Sequence, residues 1–175
     1  MATTTFIYVA NYNSNTVSVI NGSNNSVTAT ISVGSEPEGV AVNSSTNTIY
    51  VTNYNDNTVS VINASNNTVT ATIPVGNSPF VVAVNSSTNT IYVSNNNDNT
   101  VSVIDGSSNS VTATISVGSG PWGVAVNSST NTIYVANDGD NTVSVIDGSS
   151  NSVTATISVG NGPYGVAVNS STNTI

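Results

Sequence analysis

Eight carboxylates are the chain's only acidic side chains besides tyrosine: Glu36, Glu38, Asp56, Asp98, Asp105, Asp138, Asp140 and Asp147. Lys, Arg, His and Cys are absent, which leaves a net charge of −8 over 175 residues. A serine nucleophile needs a neighbouring base, and no histidine, lysine or cysteine is present to supply one. Glu36 with Glu38, or Asp138 with Asp140, could pair as glycoside hydrolysis requires. Nothing around them marks one carboxyl for an apolar pocket that would raise its pKa. The sequence therefore predicts no enzyme and no catalytic residue. Calcium wants six to eight oxygen ligands, and "NDGDN" (137–141) offers Asp138 and Asp140 beside the amides of Asn137 and Asn141. The spacing does not fit an EF-hand, and the same letters spell an ordinary Asx-rich turn. No cofactor is expected beyond that calcium candidate.

The charge also bears on partners. Nucleic-acid binding draws on cations that neutralise phosphate, and an anionic membrane surface repels a chain of this sign; neither partner is expected. No apolar run reaches bilayer-spanning length, so membrane insertion is not expected. The start, "MATTTFIYVAN", lacks the basic and apolar regions of a signal peptide, and a secreted parent would have to supply its own. Asn21, Asn24, Asn43, Asn63, Asn66, Asn85, Asn127 and Asn169 each begin an Asn-x-Ser/Thr sequon, as chance also provides in a chain so rich in Asn, Ser and Thr.

The elements that position these residues follow from repetition. Residues 7–48, 49–90, 91–132 and 133–174 align without a gap at a period of 42, within a single domain spanning 1–175. Each copy holds four strand-like runs, in the second copy "TIYVTN" (48–53), "NTVSVIN" (57–63), "TVTATIPVG" (68–76) and "FVVAVN" (80–85). The third run alternates Val69, Ala71, Ile73 and Val75 with polar residues or proline, the period of a half-buried strand. The others are dense in Val, Ile and Tyr, as strands covered on both faces are. Asn, Gly and Ser clusters break the runs about every ten residues, which reads as antiparallel meanders. Four-stranded units of 40–45 residues are the mark of β-propeller blades, so the predicted class is all-β.

Tyr50-Val51-Thr52-Asn53, with "NTVSVI", "VTATI" and the "GVAVN" runs around it, resembles the YVTN β-propeller repeat family. The resemblance covers essentially the whole chain. It implies blades whose innermost strand A is "GVAVN", followed outward by B, C and D. It also implies an extracellular or cell-surface setting of the surface-layer type, and seven-bladed rings where this chain has four copies. The chain would begin at a strand B and end after a spare strand A at 164–169, an offset that lets propellers cover a bare strand edge. That spare strand would close a four-bladed ring within one chain, or enter a second chain to make a two-fold ring of eight blades. The wider ring needs about half the splay between sheets, nearer that of seven-bladed relatives, and is the closure expected here.

The copies differ mainly on one side. The A–B loop "NSSTNT" recurs unchanged at 43–48, 85–90, 127–132 and 169–174. After the proline of each D–A loop, however, stand Glu38, Phe80, Trp122 and Tyr164, and one column of the B–C loops holds Tyr12, Tyr54, Asn96 and Asp138. Two readings fit Glu38, Phe80, Trp122, Tyr164, Tyr12 and Tyr54: contacts of a diverged binding face, or plugs packed at a channel mouth. The functional expectation is a structural or binding module without catalysis. A carbohydrate or calcium-dependent ligand binder on the variable face is the alternative, with a glycan or another surface protein as partner. Near-identical copies also suit an engineered or excised array.

Overall fold

A computed structural model describes residues 5–175. Its fifteen strands form four antiparallel sheets, one per repeat. The first sheet has three strands, β1 (Phe6–Asn11), β2 (Thr16–Asn21) and β3 (Ser26–Ser32). The second has β4 (Pro37–Asn43), β5 (Thr48–Asn53), β6 (Thr58–Asn63) and β7 (Thr68–Pro74). The third repeats it with β8 (Pro79–Asn85), β9 (Thr90–Asn95), β10 (Thr100–Asp105) and β11 (Ser110–Ser116). The fourth is β12 (Pro121–Asn127), β13 (Thr132–Asn137), β14 (Thr142–Asp147) and β15 (Ser152–Ser158). Neighbouring strands in each sheet are neighbours in sequence, and the inner strands β4, β8 and β12 pack side by side. These are the blades of a β-propeller.

Valine and isoleucine make the strands, and asparagine makes their ends. The left-handed backbone that a tight turn needs is taken by asparagine three times in every repeat: Asn57, Asn67 and Asn89, for example, have φ of 56°, 56° and 53°. Asparagine tolerates this region better than other side chains, so the Asn-rich composition is largely turn chemistry. The core lies between blades. Ile49, Val51 and Ile62 of blade 2 pack on Val17, Val19 and Ile31 of blade 1, and the two later interfaces repeat the set at steps of 42.

Two irregularities shape each blade. The third sequence run does not alternate throughout, because the β6–β7 register shifts between Val61 and Ile62. Ile73 is buried as the pattern predicts, whereas Val69 past the shift is exposed. The second lies on the inner strand. Pro37 pairs with Asn53 and Val40 with Val51, so Glu38 and Gly39 together oppose Thr52. The same bulge recurs at Phe80-Val81 and Trp122-Gly123. The run expected as a fourth complete inner strand, 164–169, forms no strand ladder; its Asn169 makes one isolated bridge to Thr174.

Candidate functional site: the aromatic face

The inner-strand bulge sets the second residue of each inner strand outside the ladder, as bulges beside sites commonly do. It also frees a backbone N–H, which the next strand satisfies. The Gly39 N–H donates to Thr52 Oγ1 at 2.8 Å, and that hydroxyl donates onward to the Phe80 carbonyl of the next blade at 2.7 Å. Ser94 does the same between the Val81 N–H and the Trp122 carbonyl, at 3.1 and 2.7 Å. Each hydroxyl thus ties two adjacent bulges together. Sequence reading passed over these residues, although their column (Ala10, Thr52, Ser94, Ala136) varies in a telling way. The end blades carry alanine, and only the central blades have the tie.

Phe80 and Trp122, released by the bulges, join Tyr54 and Tyr164 in a row. The rings of Tyr54 and Phe80 meet edge to face at 5.1 Å between centroids, those of Phe80 and Trp122 are tilted at 3.9 Å, and Trp122 meets Tyr164 edge-on at 4.8 Å. Such contacts contribute about 0.5–1.5 kcal/mol each beyond area burial. Phe80 and Trp122 are half-buried within the row, and Tyr164 at its end is 57% exposed. The structure therefore joins four of the expected residues into one surface. Glu38, in the same column, and Tyr12 lie at the opposite end. There the Glu36 carboxylate, accepting a hydrogen bond, raises the Tyr12 phenol above its usual range. Glu38 is raised by burial first and by the neighbouring Glu36 charge second.

The first three D–A loops are clasped from both sides, and the fourth from one. The Ser35 N–H donates to Asp56 of the following B–C loop at 2.7 Å, and the Glu36 N–H donates to Asn15 of the preceding one at 2.9 Å. Asp98 repeats the first contact on Asn77 and Asp140 on Ser119, at 2.7 and 2.6 Å. The Asp98 carboxylate accepts from both the backbone and the side chain of Asn77, which holds its pKa low. Asp140 thus has a backbone partner in a periodic series, and Asp138 sits beside Gly162. No group of three or more acidic residues placed to hold a metal ion occurs among the described residues. Of the sequons, Asn43, Asn85 and Asn127 are fully buried, with their amide nitrogens committed to hydrogen bonds.

The face carries most of the charge. Glu36, Glu38, Asp56, Asp98, Asp138 and Asp140 lie on its loops or at the start of β4, and only Asp105 and Asp147 stand at the other side.

The NHL repeat, a β-propeller-type repeat, matches residues 35–62 and 119–146, which span the inner three strands of blades 2 and 4. No curated protein sequence matches. Among solved structures, the fold superposes on Kuenenia stuttgartiensis hydrazine synthase with a TM-score of 0.83 at 24% identity. The match covers 87% of this chain and 45% of that one, so the chain spans less than half of the protein it resembles. The protein is thus a β-propeller repeat module. The expectation that it is no enzyme needs correction: the same arrangement of blades occurs in a protein named as an enzyme. A propeller of this kind is no argument against a place in one. The absence of catalytic side chains describes these blades alone.

Proposed function

We propose that this module binds a cationic partner, a segment bearing Lys or Arg, on the aromatic face at the mouth of the propeller. The observation that carries the reading is the continuous row Tyr54–Phe80–Trp122–Tyr164, which ends in an exposed ring and is bordered by six carboxylates. Aromatic faces attract cations, and a face of one charge sign steers an oppositely charged partner toward it. The chain has no cation of its own to compete. The resemblance to YVTN repeats supports a cell-surface or extracellular setting for this binding. A carboxylate series occupied by backbone N–H groups gives no comparable support to calcium.

Calorimetric titration with a short oligoarginine peptide, at low and at high salt, tests this. Binding that weakens with salt is expected. Replacing Tyr164 by Ala should remove about 2 kcal/mol of it or more, as anchor residues commonly do, with the melting temperature little changed. Trp122→Ala should weaken binding and cost some stability as well. Loss of about 3–5 kcal/mol of stability at both positions, or no peptide binding at low salt, would overturn the reading. Salt-insensitive binding of a neutral oligosaccharide at the same residues would replace the cationic partner with a glycan.

A further inference from the structure

The two ends of the blade series expose residues whose equivalents inside the chain are buried between blades. Inside the chain, Ile49 and Val51 and their equivalents Ile91, Val93, Ile133 and Val135 are fully buried against the preceding blade. Their counterparts in β1, Ile7 and Val9, are 46% and 41% exposed. At the other end Ile157 is 45% exposed, where Ile31, Ile73 and Ile115 are buried. Tyr134, Val143, Ile157 and Val159 there line an open apolar cleft of ≈ 400 Å³, with residues 173–175 at its border. Asp147, at the end of β14, is the one carboxylate within the described strands of either end blade. One end presents what the other end is shaped to receive.

The strand inventory points the same way. Among the described residues β1 has a bare edge where β5, β9 and β13 each pair with an inner strand. Residues 163–169 repeat the inner-strand sequence and already sit beside β12 as the next inner strand would. A Cβ on Gly123 would press on the Tyr164 carbonyl, just as one on Gly39 would press on the Phe80 carbonyl. The tail is in place for a fifth blade, yet β1 is not there to meet it, and both end faces stay exposed. Side-chain links show the same gap. Asn43 donates to Asn89, Asn85 to Asn131 and Asn127 to Asn173, each at 2.7 Å. The next donor in the series is Asn169, and the acceptor left over is Asn47, whose own predecessor by 46 residues is Met1, a side chain with no amide.

We infer that a second copy of the chain completes the first, the tail of each copy pairing with β1 of the other to close a two-fold ring of eight blades. The register of β4 on β5 fixes the contacts: Val166 opposite Val9, Ala167 opposite Tyr8, and Val168 opposite Ile7. Asn169 then donates to Asn47 of the other copy, and the two apolar faces bury each other. Head-to-tail interfaces close into rings when the rotation allows it and run into filaments when it does not. Thr174 and Ile175 duplicate Phe6 and Ile7 in this ring, so the last residues fold aside when it closes.

Cysteine cross-linking tests the register, since the chain has no cysteine of its own. Residues directly opposite on antiparallel strands have Cα atoms about 4.5–5.5 Å apart, within disulfide reach. Val9→Cys and Val166→Cys, made in separate chains and mixed under mild oxidation, should give a disulfide-linked pair of chains. Each variant alone should give little, as should Val9→Cys mixed with Ala167→Cys, whose side chain points to the opposite face. Both substituted sites are partly exposed in the single chain, so folding is retained. The double variant should run at twice 17.6 kDa without free thiol. A disulfide at single-chain mass would show closure within one chain, a ladder of larger species would show filaments, and no cross-link would show free ends. Each of these overturns the inference.

Discussion

Glu36 holds the left-handed position of its D–A loop at φ 54°, where the corresponding residues are Ser78, Gly120 and Gly162. A β-carbon in that region meets its own carbonyl, a cost that glycine avoids. Its carboxylate also stands near Glu38, whose own pKa is raised in part by that charge. Glu36→Gly is therefore expected to stabilise the fold by about 0.5–1 kcal/mol, the size of backbone effects at such sites. The clasp is kept, because Asn15 accepts from the backbone N–H. Chemical denaturation checks this, and a loss of stability would show that the Glu36 side chain contributes more than it strains. The column was visible in the sequence as a varying one, but its φ was not. Asparagine fills the other left-handed turns so evenly that an acidic residue in the same conformation gives no separate signal.

Within a blade, the strands and their order were legible because valine, isoleucine and turn asparagines recur with a fixed period. The bulges were not, since an extra residue in one strand leaves the letters of both strands unchanged. They decide the site all the same, because Phe80 and Trp122 leave the ladder there. The unchanging "NSSTNT" loop also acquires a physical reason. Its first asparagine is buried at the end of an inner strand and reaches the loop of the next blade, while its Oδ1 caps the turn by accepting the N–H two residues on. Asn85→Ala should cost about 1–3 kcal/mol, because it strands the Asn131 oxygen and the Ser87 N–H. Asn169→Ala, at an exposed equivalent, should leave the stability of a single chain unchanged. Thermal melts of the two variants compare them directly, and equal losses at both would deny the ladder its role.

At the scale of the whole chain, four near-identical units give three finished interfaces and two unfinished ends. The NHL repeat match and the superposition on part of a larger chain agree with propeller blades. Under the proposed closure, Tyr164 lies on the tail that completes a blade, and Glu38 of the other copy would follow it around the ring. Sequence periodicity predicted a spare strand at 164–169, where the structure has the chain in place but no strand ladder. It could not foretell the exposed end faces, which depend on where each side chain points once the blades are stacked. The mass of the unsubstituted protein in dilute solution, measured by light scattering across a wide concentration range, tests the account most directly. Completion by a second copy predicts twice the chain mass of 17.6 kDa, holding constant as concentration falls until the pair separates. A mass of 17.6 kDa throughout, or one that climbs without limit, would contradict it.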